Sequence, residues 1–173
     1  MGLKSKLANR ALSSRLSSLV REKKVFNLDS AKSAGVLWEI DQQDIFERLR
    51  TELSLAGLSV DSLCYVSAKK GVLPDEIKGF TRKQTSWSEV PESSLVEEFI
   101  RQKFDILIDL TSQQYFPMVY VTALSEAAFK IGYAGSSVNY FDLNIEFSEL
   151  PSTNQLADQI LYYLKRINKT TIE

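Results

Sequence analysis

Histidine is absent from the 173 residues and cysteine occurs once. Without imidazole there is no Ser-His-Asp triad, no Cys-His pair and no ordinary zinc site. A single thiol also excludes an intramolecular disulfide and a thiolate metal cage. Cys64 sits in the apolar run Leu63 to Val66, where it reads as a small buried hydrophobe. Glycine is sparse, at seven residues, and neither G-x-G-x-x-G nor the Walker A pattern occurs. No apolar run approaches the ~18 residues that a membrane-spanning helix requires. The apolar middle and small-residue cleavage site of a secretory signal are missing, and Lys6 stands where a myristoylation signal needs Ser or Thr. These absences lead to the expectation of a cytoplasmic chain with no metal and no cofactor.

What is present is the composition of a soluble globular domain, 44% apolar and 25% charged. The net charge of −1 hides an asymmetry. Residues 1–25 carry seven basic side chains against Glu22 alone, so the rest of the chain is acidic overall. This opening segment is rich in Ser, Arg and Leu, as organellar transit peptides are. Leu3, Leu7, Ala11, Leu12, Leu16, Leu19 and Val20 predict a basic amphipathic helix over about residues 3 to 22, with an apolar stripe that drifts around its axis. It can lie on the chain's own acidic body or on a second copy, making a homo-oligomer, or it can meet an anionic partner such as a membrane surface. Aromatic and basic residues do not interleave, so nucleic acid is not an expected partner.

Residues 34–168 read as one α/β domain. Gly35 to Ile40 predicts the first strand, with Asp41 capping a helix on which Ile45, Phe46, Leu49 and Leu53 share a face and which Gly57 ends. Val60 to Val66 predicts a second strand. Ser67 to Pro91 is patterned weakly, with one edge strand near Gly79 to Thr81. Ser94 and Glu97 match a capping box for a helix to about Gln102. Phe104 to Leu110 is nearly continuous in apolar residues, as a strand covered on both faces should be. Pro117 suits the first turn of a helix running to about Ala128. Strands at Phe129 to Tyr133 and Leu143 to Phe147 follow, then a helix capped by Ser152 or Thr153 with Leu156, Ile160, Leu164 and Ile167 on one face.

Strands alternating with helices predict a three-layer, doubly wound, mainly parallel Rossmann-like sheet of order 3-2-1-4-5, with a possible sixth strand. Ligands of such folds bind beyond the carboxyl ends of the strands where the winding reverses. That geometry gathers Glu39 and Asp41 after the first strand with Asp109, Thr111, Ser112 and Gln113 after the Phe104 strand. Converging carboxylates can hold a magnesium ion, orient a sugar hydroxyl or transfer protons. The same residues can instead cap local turns. Gly132, Gly135, Ser136 and Ser137 form a second candidate, in which backbone amides and hydroxyls hold an anion. Trp38 and Trp87 can wall a ligand; Trp38 is expected in the core and Trp87 partly exposed.

Phe104, Asp105, Ile108, Asp109 and Leu110, followed by Ala128, Lys130, Ile131, Gly132 and Tyr133, resemble a strand-helix-strand stretch in the N-terminal Rossmann-like domain of heptosyltransferase-type glycosyltransferases. The whole chain also resembles a family of small uncharacterised bacterial proteins, through Gly35 to Leu37, Phe104 to Leu110, and Tyr162 to Leu164 with Ile167 and Asn168. The resemblance implies a Rossmann-like fold. Heptosyltransferases carry a glycine-aspartate loop after the first strand and a second, sugar-nucleotide domain. Here Trp38 to Asp41 stands at the first place and nothing at the second. The leading expectation is therefore a stand-alone, non-catalytic binding or interaction module with a small-molecule or protein partner. Two alternatives are a small enzyme or sugar-phosphate or nucleotide-sugar binder using the carboxylates, and a docking role for the basic helix.

Overall fold

Six strands pair into one parallel sheet: β1 (Ser33–Glu39), β2 (Ser59–Val66), β3 (Gly79–Thr81), β4 (Ile106–Asp109), β5 (Phe129–Gly132) and β6 (Leu143–Asn144). Their order is β3-β2-β1-β4-β5-β6, as expected, with the sixth strand present. The computed structural model describes residues 2–135 and 138–167. Among the described residues the α-helices are α1 (Leu3–Leu16), α2 (Gln43–Leu55), α3 (Ser94–Arg101), α4 (Phe116–Leu124) and α5 (Thr153–Arg166). Asn168, the expected end of the domain, lies outside the described residues.

The apolar runs are continuous because both faces of the sheet are covered. Along β1, Val36 and Trp38 pack with Phe46, Leu49 and Leu53 of α2 and Leu156, Ile160 and Leu164 of α5. Leu37 points the other way, into a cluster with Phe99 of α3, Met118 and Val121 of α4, and Leu12 of α1. Winding leaves β1 through β2 and β3, then returns to β4 on the other side. The register pairs Leu37 with Asp109, so the tips of β1 and β4 lie side by side at the reversal.

Several local expectations are corrected. The first helix ends at Leu16, not near residue 22. The Ser17 and Ser18 hydroxyls bond back to the Ser14 and Arg15 carbonyls, and the drifting stripe leaves Val20 90% exposed. Asp41 caps no helix. Glu39 caps a single 3-10 turn, Ile40–Gln42, through reciprocal bonds with Gln42, and Asp41 is exposed within that turn. Ser94 is not a cap either: Ser93 holds that position without a side-chain bond, and Glu97 is drawn away by Arg15. The α4 helix stops at Leu124, short of Ala128, where the buried Lys130 ammonium takes the Thr122 and Ala123 carbonyls. Gly57 behaves as expected. It adopts φ +91, and the Gly57 and Leu58 amides donate to the Ser54 and Leu53 carbonyls in a Schellman closure. Ser152, the first of the two proposed caps, accepts the Gln155 amide.

The basic N-terminal arm lies on the chain's own acidic surface. Lys4 donates to Glu89 at 2.8 Å, and the Arg15 guanidinium forks onto Glu97 at 2.5 and 2.9 Å while reaching the Tyr120 hydroxyl at 2.9 Å. Past the helix, Arg21 forks onto Asp142 at 2.8 and 2.6 Å and donates to the Ala127 carbonyl at 3.1 Å.

Candidate functional site

Asp109 ends β4, beside Leu37 of β1, and is 3% exposed. Its Oδ1 accepts the Thr111 amide at 2.8 Å and the Thr111 hydroxyl at 2.6 Å, and its Oδ2 accepts the Thr122 hydroxyl at 2.9 Å. Both oxygens are therefore engaged from within the fold. Burial pushes the carboxyl up to about 6, while the Thr111 and Thr122 donors act in the opposite direction.

Glu39 ends β1 and is 7% exposed. As the cap of the 3-10 turn it accepts the Gln42 amide, and Ser67 Oγ donates to its Oε2 at 3.4 Å. Burial first, then the charge of Asp41, push it up to about 7.

Gln42 closes the space between the two tips. It is 6% exposed; its Oε1 accepts the Glu39 amide at 2.9 Å, and its Nε2 donates to the Leu110 carbonyl at 3.3 Å and to Thr153 Oγ1 at 3.0 Å. One side chain thus joins the end of β1, the turn after β4 and the first residue of α5. A glutamine reaches this far because its amide carries both acceptor and donors.

The expected cluster is therefore brought to the sheet reversal, with its polar groups largely occupied. Thr111 is buried against Asp109, Ser112 is half-buried, and Gln113 is exposed with its Oε1 accepting the Tyr115 hydroxyl at 2.7 Å. Among the described residues no three of Cys, Asp and Glu gather closely enough to hold a metal ion. At the second candidate, Gly132 leaves room for the Phe141 ring: a Cβ there would stand 2.5 Å from Phe141 Cε1. The Ala134 amide donates to Asn144 Oδ1 at 2.8 Å, and Gly135 turns the chain at φ +54. Ser136 and Ser137 lie outside the described residues. Trp38 is in the core at 2% exposure, stacked on Phe46, while Trp87 is 67% exposed.

Sequence reasoning missed Gln42, Thr122 and Lys130. For the last two a signal existed: a threonine inside the apolar helix FPMVYVTAL and a lysine inside the strand FKIG. A polar residue in a buried pattern marks a paired group. Gln42 lay in a polar stretch that gave no such contrast.

The Glu39 shift makes a prediction about pH. A carboxyl raised in the folded state adds stability that is complete below its unfolded value, and that stability is lost as pH rises through about 7. Glu39→Gln removes the charged form while keeping an acceptor for Gln42. Its unfolding free energy should match wild type near pH 4, below the unfolded value, and exceed it by about 2 kcal/mol near pH 8. Urea unfolding at both pH values measures this, and a variant less stable than wild type at pH 8 would contradict it.

Residues 4–167 match the model of a family of unknown function, DUF6913. No curated protein and no solved structure matches the chain. Among the described residues no helix is long and apolar enough to cross a membrane.

Proposed function

The chain belongs to the DUF6913 family of unknown function, and we propose that it is a Rossmann-like binding or interaction module that performs no catalysis at its sheet reversal. The supporting observation is Gln42, whose amide ties both strand tips and α5 together where a doubly wound fold ordinarily receives its ligand. Asp109 adds to this, since three donors from Thr111 and Thr122 already occupy its oxygens. The likeness of Phe104 to Tyr133 to the N-terminal half of heptosyltransferase-type enzymes supports descent from such a domain, with the reversal given over to holding the fold.

A second reading has one observation in its favour. Glu39, pushed up to about 7, is matched to proton transfer near neutral pH, and perturbed carboxyls gather at catalytic sites. It describes a small enzyme or sugar-phosphate binder acting through Glu39.

Incubating the purified full chain with nucleotide sugars and sugar phosphates separates the two readings. The module reading expects no product by mass spectrometry and no calorimetric binding that depends on Glu39. Turnover abolished in Glu39→Gln, with the variant still folded by circular dichroism, would establish the enzyme reading in its place.

A further inference from the structure

Lys130 is the buried lysine among the described residues, at 2% exposure. It lies on β5 facing α4, and its Nζ donates to the Thr122 carbonyl at 2.7 Å and the Ala123 carbonyl at 3.0 Å. An ammonium has three N–H bonds, and the third finds no acceptor among the described residues. Lys130 also lines an open cavity of about 300 Å³ between the N-terminal arm, the end of α4 and the chain leading into β6. Arg21 and Lys23 line the same cavity, as do Asn139, Tyr140 and Phe141.

Among the described residues no acid lines this cavity. Asp142, next in sequence to the lining residue Phe141, accepts the Arg21 fork at 2.8 and 2.6 Å and the Lys130 amide at 2.9 Å, and stands 3.5 Å from Lys23 Nζ. Arg21 and Lys23 therefore share one carboxylate, and the Lys130 ammonium has only backbone carbonyls as partners, which leaves two positive charges uncompensated when Lys130 is protonated. Burial above all, then the Arg21 charge, push the ammonium down to about 7 against the opposing pull of Asp142.

We propose that this cavity is an anion site that takes the dianionic phosphate of a phosphomonoester, held by the third N–H of Lys130 and the ammonium of Lys23. The double negative charge of phosphate matches the uncompensated charge of the wall. Asn139 and Tyr140 supply polar contacts for whatever the phosphate carries. The site lies on the α4 side of β5, apart from the β1 and β4 tips, and the inference is independent of the reading of those tips.

Isothermal titration of the full chain with inorganic phosphate, and in a second arm with ribose 5-phosphate, tests it. Saturable one-to-one binding is expected, weakening as sodium chloride is added. Bound phosphate restores the proton of Lys130, so titrations near pH 8 in buffers of different ionisation enthalpy should show proton uptake. Tighter binding of the sugar phosphate would assign the ligand to an organic ester; equal binding would assign it to phosphate itself. The Lys23 side chain is 73% exposed, so Lys23→Ala should fold normally and weaken binding about five-fold, as loss of one charged contact worth about 1 kcal/mol does. Lys130→Met should abolish both binding and proton uptake. Its thermal melt reports separately whether the lysine only ties off α4. No binding at millimolar phosphate, or binding unchanged in Lys23→Ala, would overturn the proposal.

Discussion

Deleting residues 1–25 should leave a chain that no longer folds cooperatively at 37 °C. The arm is part of the core: Leu12 is 2% exposed and Ala8 3%, and Leu12 belongs to the cluster built on Met118, Val121 and Leu107. Burial of that leucine alone contributes about 2–3 kcal/mol. Beyond the helix, the Arg21 side chain is 8% exposed and that of Asp142 16%. Burial raises the Asp142 carboxyl, yet Arg21 and the Lys130 amide hold it below its usual range. Removing Arg21 strips the fork from a sheltered carboxylate, a loss of about 3 kcal/mol. The Lys24 amide also donates to the Ala128 carbonyl, next to the start of β5. Together these losses approach the ~5–15 kcal/mol that holds an ordinary domain together. Far-ultraviolet circular dichroism through a thermal melt reads the outcome. An unchanged midpoint would show the arm to be separable, and would return weight to its docking on anionic membrane or on a second copy, measured by liposome binding and mass in solution.

The second large effect is expected at Asp109. Asp109→Ala should lower the unfolding free energy by about 3 kcal/mol at pH 7. It leaves the Thr111 amide, the Thr111 hydroxyl and the Thr122 hydroxyl without their acceptor in a buried place, and each such loss costs about 1–3 kcal/mol. Part of that cost is offset, because burial already disfavours the charged carboxylate, as its rise to about 6 shows. Asp109→Asn keeps the volume and one acceptor oxygen, and should cost roughly 1 kcal/mol. The sign is informative. Carboxylates kept for substrate chemistry are often stabilising when replaced, because function rather than folding retains them. Equilibrium urea unfolding of wild type and both variants decides between the two.

The architecture was legible in the sequence because its signals are long and redundant. A covered strand such as Phe104 to Leu110 needs apolar residues at every position, and the helices between strands carry a face each. The strand order and the position of the reversal follow from that alternation. Caps were less legible, because several residues can compete for one backbone amide. Asp41 and Ser94 fit local cap rules, yet Glu39 reached the turn first and Arg15 drew Glu97 away from the helix start. The candidate site was half legible. Its carboxylates sit at the expected strand tips, but their partners come from Thr122 and Ser67, which are 13 and 28 residues away in sequence. Gln42 illustrates the limit: its bonds to Leu110 and Thr153 span 68 and 111 residues, and no local pattern announces such a bridge.

Gln42 and Asp109, at the β1 and β4 tips, are spent on holding the fold. A double-mutant cycle between Asp109→Ala and Thr122→Val, read by urea unfolding, tests this most directly, since Asp109 Oδ2 and Thr122 Oγ1 stand 2.9 Å apart in the interior. Both single variants should be destabilised, with a coupling of about 1–2 kcal/mol between them. Additive effects, together with an Asp109→Ala variant more stable than wild type, would contradict the account and mark the carboxylate as one kept for a ligand.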